Sequence, residues 1–389
     1  MRSTATERAL DRRQVLTGAA ATALALVLPG AARGQAGAGP SLQDDPLFVA
    51  ARRQADGSHA VVVTGLDGLD RQVIPLPARG HDVAQCPVSG RCLAFARRPG
   101  TFAVLFDPAG RRPPETIQAV AGRHFYGHGA FSPDGRLAYA TENDYAAARG
   151  VIGVYDVSGE TVRRIGEFDS GGTGPHDLLP MPDGRRLVVA NGGIETHPER
   201  GREKLNIATM RPNVSLIDRE SGEIVARVEA PAVLHKLSLR HMAVTDAGRV
   251  WIGGQHQGGA EETPPLMASF DATRERLTFH DVPADLSGRL ANYVGSVSAS
   301  HDGTVIAASC PRAGRVLYFA GGDGRFLGSQ QRADACGVAP LDRTGFLLSD
   351  GSGALLESTG PQTRPLLVAA RPGVAWDNHL VAVRPVTDG

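Results

Sequence analysis

After about residue 45 the chain alternates short apolar runs with single polar positions, each run closed by a Gly-, Pro- or Asp-rich turn. Alternation over four to eight residues predicts β-strands half buried on a sheet, and the turn residues predict hairpins. Seven units share one layout of strand, turn and strand. They open at His81 (HDVAQCPVSGRCLAFAR), His128 (HGAFSPDGRLAYATE), His176 (HDLLPMPDGRRLVVANG), His241 (HMAVTDAGRVWIGGQ), Gly295 (GSVSASHDGTVIAAS), Cys336 (CGVAPLDRTGFLLSD) and His379 (HLVAVRP). Further strands follow each pair, as in Gly150 to Val157 and Val162 to Glu167. Intervals run from 41 residues (295 to 336) to 65 (176 to 241). A repeat of this length, built from about four strands, predicts a β-propeller.

The seventh unit is split. His379 to Val383 supplies an inner strand with nothing after it, while Asp45 to Arg52, Ala60 to Gly65 and Gln72 to Pro75 supply three strands with no inner partner. Joining the two ends closes the ring and removes its exposed edges. The expected fold is therefore all-β: a seven-bladed propeller of four-stranded antiparallel blades over 46–389, closed by the C-terminal strand.

Two intervals carry insertions, residues 191–212 and 255–265, each between a second and a third strand. Such loops emerge on the face where inner strands begin, so one functional face is expected. The opening residues His81, His128, His176, His241, Cys336 and His379 would converge at its mouth. His124, His235, Lys236, Arg240, Tyr293, Trp376 and Asn378 precede inner strands, and Glu142, Asn143, Asp144, Glu195, His197 and His256 would join from the second-to-third loops. Arg202, Lys204 and Arg211 in the long insertion suit an anion or a partner's carboxylate.

The candidate metal ligands are His81, His124, His128, His176, His197, His235, His241 and His379. Grouped neutral imidazoles suit iron, copper, nickel or zinc, and nearby carboxylates favour iron over copper. Asp82 and Asp177 could orient ligand histidines only by reaching a neighbouring blade. Haem on an axial histidine stays open, although no C-x-x-C-H attachment motif occurs. The same repeat could equally preserve histidines for blade-to-blade hydrogen bonds. The Asp-Gly turns at Asp134, Asp183 and Asp302 read as hairpin chemistry.

Composition narrows the field. Forty-one basic and 41 acidic residues give no electrostatic case for nucleic acid or an anionic membrane. There is no G-x-S-x-G, H-E-x-x-H or Walker A motif. Residues 1–36 read as a twin-arginine signal peptide (Arg12-Arg13, then an apolar run from Leu16 to Leu28), and 37–45 as a linker. That apolar run is too short to span a bilayer, so the mature chain is expected to be periplasmic, without a membrane span, and monomeric. In an oxidising compartment, Cys86 and Cys92 flanking a Pro-Val-Ser-Gly turn suggest a hairpin disulfide. Cys310 and Cys336 could form a second.

Residues 122–156, 174–218, HKLSLRHMAV (235–244) and NYVGSVS (292–298) resemble a bacterial family of exported proteins known as a domain of unknown function, family number 1513. The motifs Glu142-Asn143-Asp144 and Asn191 to Pro212 carry the resemblance most specifically. It implies a seven-bladed propeller over the mature chain. It also implies genomic neighbours that are imelysin-like periplasmic proteins or a dihaem-peroxidase-like oxidoreductase, and hence a role in iron acquisition. Three functions are expected in competition. The first is a propeller binding a metal, a metal-bearing ligand or a partner as an accessory to iron uptake. The others are a redox enzyme with a metal or cofactor at the mouth, and a non-catalytic scaffold.

Overall fold

The computed structural model describes residues 46–201 and 203–384, so the expected signal peptide, linker and Arg202 lie outside the described residues. The described chain forms seven antiparallel sheets in a ring. Six blades run in chain order from inner to outer strand, with inner strands Gly80–Gln85, Arg123–Phe131, Pro175–Pro180, Leu237–Val244, Ser296–Ala299 and Ala335–Pro340. The seventh joins both ends of the chain. Val381–Val383 pairs with Leu47–Val49, and Ala375–Trp376 pairs with Arg53 and Arg52, so two short pieces make its inner strand. No helix among the described residues is long and apolar enough to cross a membrane.

Strand alternation explains how the ring holds. Each blade's two faces meet different neighbours, and seven apolar clusters fill the seven interfaces. In the blade of Gly80–Gln85, Cys92, Ala94 and Val104 pack on Val49, Val61 and Val63 of the closing blade. Their sequence neighbours Leu93, Phe95 and Ala103 pack the other way, on Phe125, Ala138 and Ala140. Middle strands are therefore apolar throughout, as at Cys92–Ala96 and Phe102–Phe106, whereas the outer strand Glu115–Gln118 alternates.

The same parity overturns the expected hairpin disulfide. Cys92 is opposite Gln85 in register, while the Cys86 amide donates to the Arg91 carbonyl at 2.8 Å. The two thiols thus leave opposite faces and lie in different interfaces, Cys86 beside Phe95 and Cys92 beside Val61. All four cysteines are buried and free.

Inner strands interrupt their ladders where the opening residues stand. Pairing skips between Gly80 and Val83, Phe125 and Gly129, Pro175 and Asp177, Leu239 and Met242, and Ala335 and Val338. In the closing blade it is broken between Trp376 and Val381. Among the described inner strands, only Ser296–Ala299 pairs without interruption. A bulge leaves a residue unpaired and re-aims its side chain. His81, His128, His176, His241 and His379 all lie in these interruptions and turn toward the axis.

Candidate metal centre

Five histidines from five blades meet on the propeller axis. His81 lies 4.9 Å from His128 and 4.7 Å from His379, centroid to centroid. His128 lies 5.0 Å from His176 and 4.8 Å from His379, and His241 lies 4.7 Å from His176 and 4.8 Å from His379. Gly127 makes the approach possible. Its φ is +114°, and a Cβ there would stand 2.6 Å from the His81 ring. One ring nitrogen from each of His81, His128 and His176 lies within 4.8 Å of the others; the same is true of His128, His241 and His379.

Carboxylates hold the rings from outside. His128 Nδ1 is 2.9 Å from Asp82 in the preceding blade and 3.3 Å from Asp177 in the following one. Both aspartates do reach across blades. Asp177 also accepts the Met242 amide at 2.7 Å. His81 Nδ1 is 3.3 Å from Asp377, which gathers Arg79 Nε at 2.5 Å, Arg97 at 2.9 Å and the Asn378 amide at 2.8 Å. Sequence reasoning did not single out Asp377, Arg79 or Arg97.

Burial and charge split the ring ionisations. Desolvation holds His81, His176 and His241 well below the ordinary histidine range, and neighbouring positive groups add to it. His379 moves the same way, burial again leading. His128 goes the other way: burial opposes it, but Asp177 and Asp82 together push it up to about 10. Asp82 and Asp377 are depressed despite burial, Asp82 by His379 and His128 and Asp377 by His81 and the two arginines. The cluster is one imidazolium clamped by carboxylates among four neutral imidazoles.

Nε2 of His128, His176 and His379, and both ring nitrogens of His241, are buried without a hydrogen-bond partner. An unmet buried polar atom costs about 1–3 kcal/mol, and these five belong to four of the five axial rings. His128 shows the arrangement of a metal-ligating histidine, with Nδ1 held by carboxylate and Nε2 free toward the other rings.

The remaining predicted residues are dispersed. Glu142, Asn143 and Asp144 belong to the strand Leu137–Asp144, not to the loop after it. Glu142 accepts from Tyr155 Oη at 2.6 Å and Arg164 at 2.9 Å. Asn143 bridges His124 and the Thr196 carbonyl, both at 3.0 Å, and Asp144 pairs with Arg123 at 2.9 Å. His124, held near pKa 4 chiefly by burial, is thus tied to the long insertion, apart from the axial five. His197 accepts the Glu199 amide, and the Glu195 amide donates to Asn206. Lys204 lies exposed on that insertion.

His235 bonds the Ala232 carbonyl in its own turn, while Lys236 pairs with Glu262, which His256 also contacts. Arg240 borders His176 and His241 and donates to Ser238. Asn378 Nδ2 donates to Tyr293 Oη, Arg312 lies over the Tyr293 ring, and Arg52 lies over Trp376. Cys336 stands outside the cluster, its Sγ 3.2 Å from the Asp334 carbonyl oxygen.

Blades and cluster together define a seven-bladed β-propeller with histidines gathered on its axis. In sequence the chain belongs to the family described as protein of unknown function DUF1513, which matches residues 74–383. Hydrazine synthase of Kuenenia stuttgartiensis is similar in fold, with a TM-score of 0.56 at 13% identity over 82% of this chain and 96% of that one. The Cps50 (Swd1) β-propeller domain of Myceliophteria thermophila gives 0.54 at 12% identity over 80% of this chain and 94% of that one. At these identities the likeness is one of fold alone. None of the curated proteins matches the chain in sequence.

Proposed function

We propose that this protein holds a transition-metal ion, iron or copper, in its axial imidazole cluster and serves in the periplasm as an accessory to iron acquisition. The observation that carries the metal reading is a pair of triads sharing His128, in which one ring nitrogen from each histidine lies within 4.8 Å of the others and buried nitrogens of His128, His176, His241 and His379 lack a hydrogen-bond partner. Neutral imidazole suits both metals. The rings pack directly on one another, which favours a bare ion among them over a haem. The periplasmic setting and a working partner, either an imelysin-like protein or a dihaem oxidoreductase, are supported by the family's neighbours and the N-terminal sequence.

Metal titration of the mature protein tests the reading. Fe(II) or Cu(II) should bind with micromolar or tighter affinity, and the triple variant His128→Ala, His176→Ala, His241→Ala should lose that binding while remaining folded. Because His128 is protonated near neutral pH, binding through it displaces a proton. Titration heats in buffers of different ionisation enthalpy should therefore show proton release. If neither metal binds the wild type, the cluster is a structural keystone and the protein a scaffold.

A further inference from the structure

Below the histidines, on the side of the first-to-second-strand turns, the axis opens into a chamber of about 750 Å³. All seven blades contribute to its wall. His241, His379, Asp82 and Asp177 form its inner end, and the exposed residues Pro133, Pro182 and Asp246 line its outer end. The chamber therefore leads from solvent to the cluster on the face opposite the two insertions. The functional mouth expected beside those insertions is not where this chamber lies.

The wall between the two ends is mostly apolar, with Phe131, Leu179, Met242, Val244, Val297 and Val381 outweighing the neutral polar residues Gln85, Thr245, Ser296 and Ser298. No lysine or arginine lines it among the described residues, so it offers no fixed positive charge to a phosphate or a polycarboxylate. Its charges are the carboxylates Asp82 and Asp177 within and Asp246 at the rim. The volume is that of a site for a small organic molecule, and an apolar wall with a few convergent polar groups is how such sites are built. A hydrated ion alone has no use for this wall.

We propose that the turn-face chamber binds a neutral small molecule with an apolar body and a Lewis-basic head, the body lying on the wall and the head reaching the metal centre. The proposal rests on the metal reading above. Asp82 and Asp177 lie at the junction, so a head carrying an N–H as well as a lone pair finds an acceptor beside the metal.

The test uses the mature protein loaded with Co(II), whose visible spectrum reports ligation, titrated with imidazole and with 4-phenylimidazole. The two probes share a head and differ by an apolar ring. 4-Phenylimidazole should bind at least tenfold more tightly. Leu179→Arg should abolish that advantage while leaving Co(II) affinity and plain imidazole binding unchanged. Val244→Trp, which fills the same wall, is the second variant should the first not fold. Equal affinities for the two probes on a cobalt-loaded protein would overturn the chamber proposal and leave the metal reading standing. Absence of any Co(II) spectrum would overturn both.

Discussion

Acidification of the metal-free protein probes the cluster through protons. Burial holds His81, His176 and His241 neutral in the folded state, whereas the unfolded chain protonates them near the ordinary value of about 6.5. The unfolded state then binds more protons, so stability falls as pH drops below about 6.5. Each histidine held neutral contributes a loss of about 1.4 kcal/mol per pH unit. Three histidines over about two units give a ceiling of about 8 kcal/mol, comparable with the roughly 5–15 kcal/mol that holds a typical domain. His379, His124 and His280 shift the same way and steepen the fall.

His128 does not share this behaviour. Its folded pKa is raised to about 10, so its contribution is complete below about 6.5 and is lost only as pH climbs through that higher value. Asp82 and Asp377 are depressed, so their contributions persist until pH falls below about 4. The interval between about 6.5 and 4.5 therefore isolates the neutral histidines. Urea unfolding followed by circular dichroism across it should show a steep loss, and His241→Gln should reduce the slope by about 1.4 kcal/mol per pH unit. A wild-type stability that changes by less than about 1 kcal/mol across the interval would refute the reasoning.

Three further outcomes follow from named contacts. Asp377→Ala removes the acceptor shared by Arg79, Arg97 and His81 and should lower stability by about 3–5 kcal/mol, read as a fall in melting temperature. Thiol titration should find four free cysteines, all unreactive until the protein unfolds, with no mass change on reduction. Gly127→Ala, which forces a Cβ against His81 at a positive φ, should weaken metal binding at least tenfold without opening the ring.

The architecture was legible because repetition amplifies weak signals. Alternating runs closed by turns such as Pro133-Asp134-Gly135 recur often enough to count blades, and the orphan strand at His379 needs the three at the N-terminal end. Convergence of the opening histidines followed from the same repeat. Their depth did not, because it depends on bulges, which disturb alternation by one or two residues. The doublets His81-Asp82 and His176-Asp177 carried that signal, since two polar neighbours in an inner strand cannot both face the axis without an extra residue. Asp377 sits where the closing strand is broken and belongs to no pattern. The disulfide failed on parity, which the six-residue spacing of Cys86 and Cys92 conceals. Glu142 to Asp144 end a strand instead of opening the loop after it, a boundary that alternation alone does not mark, and Glu142 faces Tyr155 and Arg164 within its own blade.

The central claim is that the axial histidines hold a metal. Its most direct test is elemental analysis of protein purified after native export, without added metal, for wild type and for the variant lacking His128, His176 and His241. The account predicts near-stoichiometric iron or copper in the wild type and none in the variant. A folded wild type that carries no transition metal, or a variant that keeps its metal, would contradict it.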